Sequence, residues 1–289
     1  MRILVTAKNG QLGWELNRSI PTNVTAKFLD SKELDITKLA MVMQVISEFK
    51  PDVVINAAAY TAVDQAESDS EACYAVNETG VKNLALACKE VGAKLLNVST
   101  DFVFDAQKNT PYQPSDATSP LGVYGASKLA GEQAANSILK NNVSTVRTAW
   151  VYSSHGSNFV KTMLRLMADK PQLGVVADQI GTPTSAKNLA DALWLLADKM
   201  LGEQCDPIYH WTDLGTTSWY DFAVAIQEIA LSQNKLTTEI PVLPIKAAQY
   251  TTPAKRPAYS VLDTIALQEQ LNIQGTHWRK ALAEVLAEF

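Results

Sequence analysis

Short β-branched apolar runs that alternate with helical patterns constrain this chain more than any other feature. Ile3–Thr6, Val24–Leu29, the VVINAAA run from Val53, Lys94–Thr100 and Ser144–Trp150 read as strands. Between them, Leu12–Ser19, Thr37–Phe49, a long stretch from about Glu67 to Val91 and the residues after Tyr124 carry helical spacing. Another helix is expected after Asn158. The strand runs are apolar on both faces, as strands of a buried parallel sheet are. Such strands in βαβα alternation predict an α/β fold with a doubly wound parallel sheet and right-handed crossovers. At 289 residues, 47% of them hydrophobic, the chain has apolar material for one large domain plus a smaller appendage. Beyond Asp178 the rhythm loosens into segments such as DQIGTPTSAKN and AQYTTPAKRPAYS, rich in Pro, Gly, Ser and Thr.

The charge balance excludes some partners. A formal net charge of -5 makes the chain as a whole no binder of polyanions, so no nucleic-acid partner is expected and any nucleotide must be held by local groups. No apolar run approaches the roughly 20 residues of a membrane span, and MRILVTA begins directly as a strand without a signal-peptide pattern. Cys73, Cys88 and Cys205 form no CxxC pair, and the three histidines lie away from them. Free thiols in a reducing cytoplasm are expected, and no zinc site.

LVTAKNGQLGWEL, from Leu4, is a strand, a loop and a helix start. Such a junction presents backbone N–H groups and the positive end of a helix, which favours an anionic phosphate. Gly10 and Gly13 supply two positions free of Cβ, but Ala7 stands where a glycine-rich loop has its first glycine. Asp30 ends the second strand, placed to accept from an adenosine ribose hydroxyl, whereas Ser31 and Lys32 beside it could favour a 2′-phosphate. On this loop alone, a phosphate site and mere close strand–helix packing are equal readings.

The downstream residues decide between them. Tyr124 and Lys128, in YGASK, stand four residues apart and so share one helix face. A neighbouring ammonium favours phenolate over phenol, which makes Tyr124 a usable proton donor to an oxygen that gains a hydride. Ser99 and Thr100 end a strand at the carboxyl edge of the sheet, where open α/β folds bind ligands.

The stretches GQLGWEL, ELDIT, INAAAYTAVDQAE, VNETGVKNLA, STDFVF, YGASKLAGE, RTAWVY, DQIGTPT and PAKRPAYS, in that order, span nearly the whole chain. By them the chain resembles the extended short-chain dehydrogenases/reductases, and among these the dTDP-4-dehydrorhamnose reductase family. The resemblance implies a Rossmann-like fold. Residues 1–150 would be the dinucleotide-binding core with the catalytic residues. Residues 151–289 would complete the sheet and form a smaller substrate-binding lobe, with an interleaved boundary.

It also implies NADPH or NADH as cofactor, the choice left open, and a dTDP-linked 4-keto sugar as substrate. Thr100, Tyr124 and Lys128 would be catalytic, the last two also meeting the cofactor. Gly10, Gln11 and Leu12 would wrap the pyrophosphate and Asp30 would meet the ribose. Asp35 and Ile36 would flank the adenine, and Ala59, Tyr60 and Thr61 would line the nicotinamide side. Thr100, Asp101, Trp150 and Arg256 would touch the sugar nucleotide, Arg256 at its diphosphate. Asn77 matches the asparagine that in this superfamily helps hold a water chain to the lysine.

Three departures stand out. Ala7 replaces the usual glycine, at almost no cost if its φ stays negative. Phe102 stands where many relatives carry tyrosine. Some relatives bind magnesium at a dimer interface through glutamates. Glu15 matches one of these, but Lys187 falls where a second acid is expected, which speaks against that metal and that dimer. Monomer and homodimer both stay open. Trp211, Trp219, His210 and His277 read as packing, structural or exposed residues, while Asp178 and Thr182, in segments that cover the sugar nucleotide in the family, stay open between that role and a surface loop held by local hydrogen bonds. A 4,6-dehydratase or 4-epimerase is a rival on the same fold, but elimination needs an acid/base pair after the threonine, and Asp101 is followed by Phe102. A non-catalytic nucleotide-binding regulatory subunit is the other rival, and it would need no proton donor.

Overall fold

Six parallel strands form the central sheet: β1 (Arg2–Thr6), β2 (Thr25–Leu29), β3 (Val53–Asn56), β4 (Lys94–Thr100), β5 (Val143–Thr148) and β6 (Ile208–His210). The computed structural model describes residues 1–289. Across the sheet the order is β6-β5-β4-β3-β1-β2. The chain leaves β1 to one side for β2, then returns to β1's other side for β3. Ligands of open α/β sheets bind at that reversal, outside the carboxyl ends of β1 and β3.

Helices α1 (Gln11–Arg18), α2 (Leu39–Phe49), α3 (Val63–Ala66), α4 (Ser70–Tyr74) and α5 (Val81–Val91) precede β4. Then come α6 (Val123–Leu139), α7 (Phe159–Asp169), α8 (Ala186–Gly202), α9 (Trp219–Ser232), α10 (Ile265–Leu271) and α11 (Trp278–Ala287). Apolar residues of α1, α8 and α10 bury one face of the sheet, and those of α2, α5 and α6 bury the other. Both faces are therefore dry, which is why the strand sequences lack polar alternation. A third cluster, built on Tyr152, α7, α9 and α11, forms its own core beside the sheet. No helix is long and apolar enough to cross a membrane.

Two boundaries differ from the sequence reading in ways that matter. The stretch expected as one helix from Glu67 to Val91 is three pieces, α4, a π-helical turn at Ala75–Gly80, and α5. Helix α6 starts at Val123, so Tyr124 lies inside its first turn. That turn presses on the chain that leaves β4. A Cβ on Gly125 would stand 2.2 Å from the Phe102 carbonyl oxygen, so only glycine fits there.

Candidate active site

The β1–α1 loop is shaped by close backbone contacts. Gly10 donates its N–H to the Ala7 carbonyl at 2.9 Å, and a Cβ on Gly13 would lie 2.2 Å from that same oxygen. No side chain caps α1, so the N–H groups of its first turn, at Gln11, Leu12 and Gly13, have no side-chain partner. The sequence expectation for Ala7 fails in one respect: its φ is 57°, in the left-handed region. An alanine methyl costs about 1–2 kcal/mol there, where glycine costs almost nothing. Ala7→Gly is therefore expected to raise unfolding stability by about 1 kcal/mol. The loop path is unchanged, so NADPH affinity should stay the same; chemical denaturation and a cofactor titration check both.

At the end of β2 the Asp30 carboxylate is already engaged. Its Oδ1 accepts from the N–H groups of Lys32 and Glu33 at 2.9 and 3.1 Å, and its Oδ2 from Asn9 at 3.2 Å. Lys8 Nζ lies 3.6 Å from Asp30 Oδ2 and 2.6 Å from Glu33. Asp35 accepts from the N–H and hydroxyl of Thr37, which fixes the turn into α2. Ile36 is not an open wall: its side chain is buried against Gly80, and its carbonyl accepts from Asn83.

The ends of β1 and β3 are tied together. Thr6 donates to Asn56 at 2.8 Å and accepts from the N–H groups of Ala57 and Ala58. Ala59, Tyr60 and Thr61 follow in the loop at that crevice, where Asn77 holds both backbone groups of Tyr60. Asn77 Oδ1 accepts from the Tyr60 N–H at 2.9 Å, while its Nδ2 donates to the Tyr60 carbonyl and to Ser127 Oγ. The side chain of Asn77 is thereby committed to a loop and a helix, rather than left facing Lys128. The π-helical turn is what places it there, a local irregularity common at functional sites.

Thr100 ends β4 with its Oγ1 donating to Asp101 at 3.1 Å and accepting from the Phe102 N–H at 3.2 Å. Burial pushes the Asp101 carboxyl up to about 6, against the hydroxyls of Ser260 and Thr100 that favour its charged form. Phe102 packs edge-on against the Tyr124 ring, centroids 5.6 Å apart. Its lost hydroxyl thus leaves a ring that steadies the tyrosine.

Lys128 Nζ donates to the Val98 carbonyl at 2.6 Å, a contact invisible in sequence. Burial pushes the Tyr124 phenol up to about 12; the nearby Thr100 hydroxyl opposes this, and Asp101 and Cys73 reinforce it. The expected lowering by Lys128 is not what governs Tyr124 here, and the side chain stays a neutral acid. Thr100 and Tyr124 meet at the end of β4, and Lys128 reaches the same strand two residues earlier.

The remaining expected residues divide. Trp150 has φ 49° and stacks on Trp219 at 3.5 Å, with Gly181 under its indole. Arg256 donates to Asp64 at 2.7 Å, which ties its loop to α3. Asp178 accepts from the Ala247 N–H and Thr182 donates to the Gly215 carbonyl, both local contacts. Trp211 is buried, His210 is buried against the Tyr112 carbonyl, and His277 caps α11. Glu15 accepts from Ser153 at 2.6 Å with Arg18 Nη1 3.6 Å away, and Lys187 also acts on it. A carboxylate already engaged by Ser153, with the Arg18 guanidinium beside it and the exposed Lys187 near, does not fit a magnesium site.

Comparison with known proteins gives matches over the whole chain. Residues 1–289 match the family described as RmlD substrate binding domain. The chain is 44% identical to the dTDP-4-dehydrorhamnose reductase of Aggregatibacter actinomycetemcomitans, over 99% of this chain and 98% of that protein. Its structure is similar to that of a dTDP-4-dehydrorhamnose reductase from Bacillus anthracis strain Ames in complex with NADP. The TM-score is 0.91 at 36% identity, over 100% of this chain and 99% of that one. An ortholog from Clostridium acetobutylicum gives a TM-score of 0.91 at 38% identity, over 99% of this chain and 98% of that one.

Proposed function

The chain belongs to the dTDP-4-dehydrorhamnose reductase family, and from that premise we propose that it reduces the C4 keto group of dTDP-4-dehydro-6-deoxy-L-mannose to give dTDP-L-rhamnose. It is an oxidoreductase that uses NADPH or NADH. The observation that supports the reading is that the Thr100 hydroxyl stands beside the Tyr124 phenol at the carboxyl end of β4, while Lys128, one turn along the same helix, reaches the Val98 carbonyl of that strand.

The dinucleotide fits the residues present. The uncapped start of α1 offers Gln11, Leu12 and Gly13 N–H groups to a pyrophosphate, with Gly10 at the approach. Asp30, preset by its own turn, would receive the adenosine ribose, with Lys8 and Lys32 close enough to accept a 2′-phosphate in NADPH. Ala59, Tyr60 and Thr61 would line the nicotinamide side, held by Asn77. Asp35 would border the adenine; Ile36 would do so only through its backbone, since its side chain faces the core. When bound, the reduced nicotinamide supplies the hydride.

The chain's own groups do the rest. Thr100 would orient the keto oxygen. Tyr124, kept a neutral phenol, would give its proton to that oxygen as it gains charge, and the Lys128 ammonium would stabilise the phenolate left behind. Asp101 and Trp150 would contact the sugar, and Arg256 would reach the diphosphate with the guanidinium edge not spent on Asp64. Phe102, packed on Tyr124, occupies the position from which an eliminating enzyme would draw its second acid/base group, and this supports simple reduction.

The test is NADPH and NADH oxidation with the dTDP-linked 4-keto sugar, run beside other 4-keto sugar nucleotides. We expect turnover with this sugar and with both cofactors. A protein that holds NAD stoichiometrically through purification and turns over no exogenous cofactor would instead indicate an epimerase or dehydratase.

A further inference from the structure

Behind the catalytic helix lies a line of three buried charges. Lys128 and Glu132 stand one turn apart on α6 and share a face, each 3% exposed. Arg147, 4% exposed, reaches Glu132 from β5, the strand beside the edge strand β6. Its Nε donates to both carboxylate oxygens at 3.1 and 3.2 Å, and its Nη2 to Oε2 at 2.7 Å. Lys128 does not join that pair: its Nζ turns to the Val98 carbonyl, two residues before Thr100. The planar guanidinium engages both oxygens and so fixes the carboxylate. Glu132 therefore acts on Lys128 through space, without taking its hydrogens.

We propose that Glu132, held by Arg147, is a positioning residue that keeps Lys128 charged while leaving its ammonium free for Val98 and the ligand. The inference rests on the role proposed above for Lys128. A buried ion pair is by itself weak evidence for stability, so its place behind the cleft calls for another explanation. Burial draws Lys128 down to about 8, and Glu132 is the largest influence that opposes this, followed by Cys73.

The other titratable groups around Lys128 are few. Tyr124 is on its own helix and Cys73 on α4, whose thiol lies 3.1 Å from Ser127 Oγ. Asp101 lies beside Tyr124, and Arg147 behind Glu132. His210 pairs in register with Arg147 and adds no charge: burial first, then Arg147, push it down to about 3. Without Glu132, Lys128 would face buried surroundings with no fixed anion near it. Without Arg147, Glu132 would be free to take the Lys128 ammonium away from Val98.

The two substitutions therefore predict shifts of opposite sign, which a merely structural pair does not. The readout is an NMR titration of 13C-labelled lysine Cε groups, with the Lys128 signal assigned by its loss in Lys128→Met. Glu132→Gln should lower the Lys128 midpoint by about one pH unit, and Arg147→Met should raise it. Because Glu132→Gln leaves a buried guanidinium unpaired, the double variant Glu132→Gln/Arg147→Met removes both charges, keeps the fold and should titrate low like the single one. The alkaline limb of kcat should move with the midpoint in each case. Unchanged midpoints, or shifts of the same sign in both single variants, overturn the proposal. Wild-type turnover is measured separately: its absence would sink the reductase reading, while the titration still reads Lys128.

Discussion

Tyr124→Phe should leave the protein folded and able to bind NADPH, yet lower kcat by about 10²–10⁴-fold, the usual worth of a positioned general acid. The substitution removes one oxygen and keeps the ring, so the edge contact with Phe102 survives. The phenol is the group placed to protonate the new alkoxide, because burial keeps it an acid well above neutral pH and Thr100 stands beside it. Thr100 is an aliphatic alcohol, a far weaker acid than a phenol, so it cannot take over as proton donor even where it hydrogen-bonds the keto oxygen. Stopped-flow turnover with a parallel cofactor titration checks this. Near-wild-type kcat would mean that another group donates the proton.

Gly13→Ala should be the most damaging change in the cofactor loop. The added methyl would stand 2.2 Å from the Ala7 carbonyl oxygen and 2.8 Å from its carbon, and both are backbone atoms that cannot rotate away. Either α1 lifts from β1 or the loop at Ala7 opens. Both routes loosen the apolar contacts of Leu12 and Leu16 with the sheet. Overpacking of this kind costs about 1–3 kcal/mol, and here it also displaces the N–H groups offered to the pyrophosphate. The expected result is a lower unfolding midpoint together with NADPH affinity reduced at least about tenfold, about 1.4 kcal/mol. The same methyl at Gly92, where nothing lies within 4 Å, meets only the strain of its positive φ and should leave cofactor affinity untouched. Equal effects at the two positions would contradict the account.

The sheet was legible where its strands carry their burial in their sequence: Val53–Ile55 is an unbroken apolar run, buried at every residue, whereas Val143–Thr148 is equally buried although Ser144, Thr145, Arg147 and Thr148 are polar. Tyr124 and Lys128 were legible because a single helix turn fixes their relation. Four features could not be read in the same way. The φ of Ala7 depends on how the loop closes over Gly13, which residue type alone does not state. The use of Asn77 depends on a π-helical turn, set by packing against α6 rather than by propensity. The Ile36 side chain turns into the core over Gly80, a contact that no local pattern announces. Glu132 and Arg147 lie 15 residues apart on different elements, and nothing local links them before the chain folds.

The central claim is that hydride passes to C4 of the sugar at the site made by Thr100, Tyr124 and Lys128. The most direct test supplies NADPH carrying deuterium at the transferable position of the nicotinamide, with dTDP-4-dehydro-6-deoxy-L-mannose in ordinary water. The product should be one mass unit heavier, with the deuterium at C4 of dTDP-L-rhamnose by NMR, and far less labelled product should form from Tyr124→Phe in the same time. Deuterium at any other carbon, or unlabelled product formed without net cofactor oxidation, would contradict the claim.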